Sequence, residues 1–303
     1  MAQLPDPGLP LGSDVRLRMV RAPVNPADLL ALDGRYAFSL DQQAPLGAEG
    51  VGEVEAVGPQ VRDLEPGMLV LPLTRGNWCS HRLVDRAALI KVPPGIDPAR
   101  AAMMRINPAT AMLLLDAARV TSGGVLAQNG AGSAVAAWVR LFAARRGVEV
   151  VDIVRRPVPA LPGALLDGPD LAACMKDRIG GAPLHAALDC VAGDATARLA
   201  ACLAPEGKLI VFGHLSGAPI TIASQLLTGG GIALRGFSLR PAEGRLGADG
   251  VQALFDRIWR IAGEEHPALP VGPVLPLEEA DRAIELARRG GSGRVQFDLA
   301  QAG

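Results

Sequence analysis

The stretch that most restricts the fold of this chain is residues 123–156, which read as strand, turn of small residues, helix and strand. Residues 125–127 are apolar, and residues 128–133 are small or polar. Residues 134–146 carry apolar side chains at helical spacing, and residues 149–154 form a β-branched run. Such a βαβ unit is right-handed in nearly all proteins and places its turn at the carboxyl end of the strands. The stretch therefore predicts a parallel sheet with a ligand-accessible turn.

The turn itself indicates a dinucleotide site. Gly130 and Gly132 match the common glycine fingerprint, whereas its third position holds Val135. Small residues there let a pyrophosphate approach the backbone, and the helix start supplies N–H donors. A tight strand-to-helix turn without a ligand would explain the same residues. Arg155 and Arg156 follow the second strand, where guanidinium groups suit the 2′-phosphate of NADP, although a solvated pair of arginines is the alternative.

The pattern changes near residue 97 from short, turn-rich strands to strands that alternate with helices. That alternation predicts a parallel doubly wound sheet. A chain of 303 residues also suits two domains. We therefore expect residues 1–105 to form the first part of a β-rich catalytic domain. We expect residues 106–242 to form the cofactor-binding domain and residues 243–303 to rejoin the first domain.

Charge and hydropathy exclude several classes of function. The net charge of -1 offers no basic surface for nucleic acid or an anionic membrane. No apolar run reaches the ~20 residues of a membrane span. Residues 1–10 lack a signal or transit pattern, so a cytoplasmic location is expected. The four cysteines are scattered without the spacing of a zinc knuckle or a disulfide framework.

Several short blocks together resemble the zinc-free branch of the medium-chain dehydrogenase/reductase superfamily, most closely the 2-enoyl thioester reductases. The blocks are residues 24–28, 34–36, 47–51, 76–78, 106–111, 128–129 and 236–237. The resemblance implies an α/β fold: a Rossmann-type doubly wound parallel sheet domain plus a β-rich, GroES-like substrate domain. It further implies NADP(H) as cofactor, a role in fatty acid metabolism, and a homodimer joined through the strand predicted over residues 232–239.

The resemblance also implies roles for individual residues. Tyr36, the only tyrosine in the chain, matches the proton donor, and Trp78 lies in the block that would face the substrate. A phenol can protonate a basic enolate or hydrogen-bond its oxygen. The implied cofactor-binding residues are Asn107, Gly132, Ser133, Ala134, Val135, Arg155, Arg156, Phe212, Gly213, His214, Leu215, Phe237, Ser238, Leu239 and Arg294.

Zinc chemistry is not expected. The zinc alcohol dehydrogenases of this superfamily carry a histidine where this chain has Ala48, and the ligand cysteine expected near Asn25 is absent. A catalytic zinc site needs about three protein ligands, and four scattered histidines do not supply them. The substrate would then be polarised by hydrogen bonds.

Three functions stay open. The first is an NADPH-dependent reductase of enoyl thioesters of CoA or acyl carrier protein, and the second is a quinone or small enone reductase of the same branch. The third is a cofactor-binding relative without catalysis that acts as a sensor or scaffold. Tyr36 and Asn107 favour the first two functions. The third is favoured by Ala134 and Ala136, which replace two glycines of the family turn.

Overall fold

The computed structural model describes residues 5–35, 44–291 and 293–300. The chain forms two compact units. The first comprises residues 1–106, 252–260 and 268–303, and the second comprises residues 107–251 and 261–267. One unit is built on a largely antiparallel sheet and the other on a parallel sheet. The predicted α/β fold class is therefore confirmed.

The described elements are numbered in chain order. The strands are β1 (Asp14–Pro23), β2 (Val51–Val57), β3 (Leu69–Pro72), β4 (His81–Asp85), β5 (Leu89–Lys91), β6 (Val125–Gln128), β7 (Glu149–Val154), β8 (Leu165–Leu166), β9 (Ala186–Asp189), β10 (Lys208–Val211), β11 (Ala233–Gly236), β12 (Val271–Pro276) and β13 (Arg294–Asp298). The helices are α1 (Pro26–Leu32), α2 (Pro98–Ala101), α3 (Ile106–Ala118), α4 (Ala134–Ala144), α5 (Leu171–Arg178), α6 (Asp194–Ala200), α7 (Ser224–Thr228), α8 (Leu239–Glu264) and α9 (Ala280–Arg289).

The sheet of the first unit has the order β12-β13-β1-β2-β3-β5, and β4 also pairs with β1. Only β12 and β13 run parallel. Strand β1 alternates in the way a half-buried strand does: Val15, Leu17 and Met19 are fully buried. The same core contains Phe297 of β13, so residues from both ends of the chain complete it.

The sheet of the second unit has the order β11-β10-β9-β6-β7-β8, with every pair parallel. In order of appearance along the chain this is the 3-2-1-4-5-6 arrangement of dinucleotide-binding sheets. The core strands read as continuous apolar runs because helices cover both faces. The strand order reverses between β6 and β9, which is where such sheets bind their ligands.

Several boundaries differ from the sequence expectation. The strand expected over residues 232–239 ends at Gly236, and Leu239 instead begins α8, which has a non-helical break at Gly247. The sequence pattern favours a helix over residues 99–105, whereas the structure has only the short α2 there. The elements α5, α7 and β12 had no clear sequence signal. Within the described residues, no helix is both long enough and apolar enough to cross a membrane.

The connection from β7 to β8, residues 155–164, contains no helix. Residues 161–169 are rich in glycine and proline, a composition that disfavours a helix. An ion pair holds the end of this connection. Arg198 of α6 donates from Nε and Nη2 to the two carboxylate oxygens of Asp167, both at 2.6 Å. This bidentate contact anchors the chain just after β8, at the end of a connection that contains no helix.

Candidate active site

A buried polar network joins the ends of β6 and β9 at the point where the strand order reverses. Asn129 Nδ2 donates to Asp189 Oδ1 at 2.6 Å, and Asn129 Oδ1 accepts from Cys190 N at 2.8 Å. Thr196 Oγ1 donates to Asp189 Oδ2 at 2.5 Å. The Asp189 side chain is fully buried, so these donors offset the cost of removing a carboxylate from water. The network joins the predicted cofactor turn, which contains Asn129, to the segment that follows β9.

The roles of Asp189 and Thr196 were missed by sequence reasoning. A usable signal was present. An acid that ends an otherwise apolar strand must find hydrogen-bond donors when it is buried, and an asparagine at the end of the neighbouring strand can supply one. The backbone N–H groups of Val191 and Ala192 supply two more, at 2.8 and 3.0 Å from Asp189 Oδ1.

Two glycine turns enclose the Cys190 side chain. Gly130 has a φ of +58°, and a Cβ added to it would lie well inside van der Waals contact with Cys190 Sγ. A Cβ on Gly213 would lie 2.7 Å from the Cys190 carbonyl oxygen. Burial, together with the Asp189 charge, raises the pKa of the Cys190 thiol to about 12. Cys190 is therefore a neutral spacer between two turns and not a nucleophile.

Helix α4 begins with three backbone donors that have no acceptor in the described part of the chain: the N–H groups of Gly132, Ala134 and Val135. Ser133 caps the helix, because its Oγ accepts from Ala136 N at 3.2 Å and its carbonyl accepts from Ala137 N at 3.1 Å. Gly132 has nothing near an added Cβ and is exposed. Free donors at the start of an 11-residue helix are suited to an anionic group.

Arg155 and Arg156 directly follow Val154, the last residue of β7. Both side chains are exposed. Among the residues described, neither guanidinium has a carboxylate or other hydrogen-bond partner. They are available to a ligand at the same edge of the sheet as the Gly132 turn, since β6 and β7 are parallel neighbours.

The remaining predicted cofactor residues of the second unit follow other strands of this sheet. Residues 212–215 follow β10, and residues 237–238 follow β11 before Leu239 begins α8. Because the strands are parallel, these segments lie at the same edge as Gly132. Asn107 is the second residue of α3 and is 7% exposed. Its side-chain amide has no partner within the described ranges, so capping of a helix end does not account for it.

The first unit holds the other predicted residues. Trp78 is buried, packs edge-to-face against Phe297 with ring centroids 4.9 Å apart, and donates from Nε1 to the Pro23 carbonyl at 3.3 Å. Core packing therefore accounts for Trp78, and contact with substrate stays a prediction. Arg294 Nη1 donates to the Val24 carbonyl at 3.2 Å, and burial lowers its pKa. Tyr36 lies outside the described residues.

A second buried polar cluster surrounds the start of α1. Asn25 Nδ2 donates to Glu49 Oε1 at 3.0 Å, and Glu49 Oε2 accepts from Ile106 N at 2.8 Å. Asp28 Oδ1 accepts from Arg75 Nη2 at 2.9 Å. Burial raises the pKa of Asp28 to about 6 and also raises that of Glu49. Sequence reasoning gave Glu49 no role. No local signal separates Glu49, which precedes β2 and is fully buried, from Glu53 and Glu55 of β2, whose side chains are partly exposed.

This cluster occupies the region in which the resemblance places zinc ligands in other branches, at Asn25 and Ala48. Amide and methyl side chains do not supply the thiolate and imidazole ligands that zinc prefers. In the part of the chain that the structure describes, no three His, Cys, Asp or Glu side chains are grouped as a metal site requires.

Comparison with known proteins identifies the class first. A family model described as "Alcohol dehydrogenase GroES-like domain" matches residues 12–105, and one described as "Zinc-binding dehydrogenase" matches residues 165–293. A protein from Bacillus thuringiensis, described as a candidate NADPH:quinone reductase, superposes with a TM-score of 0.88 at 26% identity, covering 96% of this chain and 91% of that one. The fold is that of the medium-chain dehydrogenase/reductases.

The sequence relatives narrow this class. The mitochondrial enoyl-[acyl-carrier-protein] reductase of Rattus norvegicus is 30% identical over 293 residues, covering 92% of this chain and 79% of the relative. The human protein of that name is 30% identical over 296 residues, with the same coverage. The mitochondrial 2-enoyl thioester reductase Etr1p/Etr2p of Candida tropicalis shares the fold at 22% identity, with a TM-score of 0.83 over 98% of this chain and 93% of that one. This chain belongs to the enoyl thioester reductase family of the medium-chain dehydrogenase/reductases, as the sequence blocks had predicted.

Proposed function

We propose that this protein reduces the activated carbon–carbon double bond of a 2-enoyl thioester of CoA or acyl carrier protein, with NADPH as the reductant. The observation that carries the proposal is the juxtaposition, at one edge of the parallel sheet, of two groups that have no partner among the described residues: the backbone donors of Gly132, Ala134 and Val135, and the guanidinium groups of Arg155 and Arg156. Family membership supplies the reaction class. One related structure is described as the Etr1p complex with NADP and crotonyl-CoA.

The residues present fit such a cofactor. A Cβ at Gly132 would meet nothing, so the backbone there is open to a pyrophosphate. The two arginines offer charge-assisted hydrogen bonds to a 2′-phosphate. The Asn107 amide and the residues after β10 and β11 would lie along the rest of the dinucleotide. When bound, NADPH supplies the hydride.

Tyr36 completes the proposal as the group that donates a proton to the substrate or holds its enolate oxygen. Two features of the first unit support a reaction that uses hydrogen bonds in place of a metal. The Asn25 side chain donates its hydrogen bond to Glu49, and position 48 carries only a methyl group. Elemental analysis that found stoichiometric zinc in the purified protein would refute this metal-free proposal.

The proposal keeps the division into a β-rich catalytic part (1–105), a cofactor-binding part (106–242) and a returning C-terminal part (243–303), and the two compact units support it. We also propose a homodimer. Strand β11 pairs only with β10 among the described strands, and all four of its residues are exposed, Leu234 by 41%. An apolar strand with a free edge favours pairing with a second copy. The cytoplasmic location and the role in fatty acid metabolism stay predictions.

The deciding experiment follows NADPH consumption with crotonyl-CoA and, in parallel, with a small quinone. Higher kcat/KM for crotonyl-CoA is expected. Turnover of the quinone alone would establish the second function, a quinone or enone reductase of the same branch. Tight NADPH binding without turnover of either compound would favour a sensor or scaffold.

A further inference from the structure

One ion pair of the second unit reaches the predicted cofactor turn from behind. Arg140, on the second turn of α4, donates from Nη1 to the Ala131 carbonyl oxygen at 2.9 Å and to both carboxylate oxygens of Asp152 at 3.1 Å. Gln128 Nε2 donates to Asp152 Oδ1 at 2.7 Å and to the Ala136 carbonyl at 3.1 Å. The network thus links β6, the turn, α4 and β7.

The contact with Ala131 determines the orientation of one peptide group. In a planar trans peptide, the carbonyl of Ala131 and the N–H of Gly132 point in opposite directions. Because Arg140 holds the carbonyl on its own side, the Gly132 N–H faces away from Arg140, where the structure provides no acceptor. Ala131 lies between Gly130 and Gly132, and glycine permits many backbone conformations. The turn therefore depends on a contact such as this one for its orientation.

The second consequence concerns charge. Asp152 lies on β7, which Arg155 and Arg156 directly follow, and only 11% of its side chain is exposed. A poorly solvated carboxylate near a dianionic pyrophosphate would weaken binding if nothing balanced it. Arg140 supplies the balancing charge.

We infer that Arg140 is a positioning residue for the dinucleotide: it orients the Ala131–Gly132 peptide toward the pyrophosphate and neutralises Asp152. This inference rests on the proposed function, because it assumes that the turn binds the dinucleotide. It differs from the role of Arg155 and Arg156, since the pyrophosphate is common to NADPH and NADH whereas the 2′-phosphate is not.

The test measures the Kd of NADPH and of NADH, by nucleotide fluorescence, for wild type, Arg140→Met, Arg140→Lys and Asp152→Asn. Arg140→Met should raise both Kd values by a similar factor, about ten- to a hundredfold, the range for losing an oriented hydrogen bond to a charged group. Arg140→Lys should recover part of the loss because it keeps the charge. Asp152→Asn keeps the Ala131 contact and removes the charge that Arg140 balances, so both Kd values should fall. A rise as large as that of Arg140→Met would contradict the charge-balance part of the inference.

The matched control is Arg145→Met at the opposite end of the same helix. Arg145 pairs with Glu264 and Glu265 and has no recorded contact with the turn, so this variant should keep both affinities. Equal losses in Arg145→Met and Arg140→Met would indicate general destabilisation and overturn the inference. The inference would also be overturned if Arg140→Met bound both dinucleotides with wild-type affinity, or if it lost affinity for NADPH alone. If the wild type binds neither dinucleotide, the proposed function is refuted together with the inference. If the wild type binds the dinucleotides and Arg140→Met binds them equally well, only the inference is refuted.

Discussion

Gly130→Ala provides a quantitative test of the packing at the cofactor turn. The substitution places a Cβ on a residue with a φ of +58°, which costs an L-residue about 1–2 kcal/mol. The new methyl group also collides with Cys190 Sγ, the only atom within 4 Å of it among the described residues other than its neighbours in the chain. Cys190 is buried and cannot move without disturbing Gly213, so overpacking adds about 1–3 kcal/mol. The expected loss of unfolding free energy is the sum, about 2–5 kcal/mol.

A double-mutant cycle with Cys190→Ala separates the two contributions. Removing Sγ leaves only the backbone cost, so Gly130→Ala should be about 1–3 kcal/mol less destabilising in the Cys190→Ala background. The assay is equilibrium urea denaturation of the four proteins. Gly132→Ala is the matched control, because its Cβ would contact nothing within 4 Å, and it should leave stability nearly unchanged. An equal cost of Gly130→Ala in both backgrounds would refute the packing argument.

Four further predictions follow from the structure and the proposed function. Replacing Arg155 and Arg156 by alanine should weaken NADPH binding at least tenfold and leave the affinity for NADH unchanged, since each charge-assisted hydrogen bond to the 2′-phosphate is worth about 1.5–3 kcal/mol. Equal NADPH titration curves before and after the substitution would contradict this. Tyr36→Phe should lower turnover about 10²–10⁴-fold with NADPH affinity preserved, and steady-state kinetics showing wild-type turnover would make Tyr36 a packing residue. The pKa of Asp28 is raised from 3.8 to about 6 by burial, so the folded state binds the proton more tightly. Its stabilising contribution is full below pH ~4 and is lost as the pH rises through about 6, by up to about 3 kcal/mol. Urea denaturation across this range should show a smaller slope in Asp28→Asn than in wild type; the remaining slope is expected from Glu49, whose pKa burial also raises. Leu234→Pro should dissociate the dimer in light scattering, while Leu234→Ala should leave it intact. The Ala233 N–H donates to the Gly207 carbonyl, so the Leu234 N–H points away from β10 toward the free edge, where proline removes it. A dimer unchanged by the proline would exclude this edge as the interface.

Local patterns predicted the elements around the site well because each of them carries its own signal. The β-branched run 149–154 is β7 without any shift of boundary. Gly147 marks the end of α4 within a few residues, since a positive φ is readily available to glycine. The glycine- and proline-rich composition of residues 161–169 is consistent with the absence of a helix between β7 and β8.

Tertiary contacts decided the features that the sequence could not reveal. Trp78 lies in a family block yet fills a core position against Phe297, a partner 219 residues away in sequence. The Asp189 carboxylate is stabilised by Asn129, which follows the neighbouring strand β6, and by Thr196 of α6. An acid at the end of an apolar strand indicates that donors are needed, but only the tertiary contacts show which residues supply them. Strand β11 was predicted too long because Phe237 and Ser238 have strand-like composition, whereas the chain turns there into α8.

The sheet of the first unit has a consequence for synthesis of the chain on the ribosome. Strand β1 pairs with β13, and Val24 and Arg294, which share a hydrogen bond, are separated by 270 residues. At typical elongation rates of about 5–20 residues per second, β1 waits on the order of tens of seconds for this partner. During that interval the position beside Trp78 that Phe297 later fills is empty. The strands of the parallel sheet, within residues 107–251, are all synthesised before Phe297. Strand β1 therefore lacks this partner until β13 emerges from the ribosome.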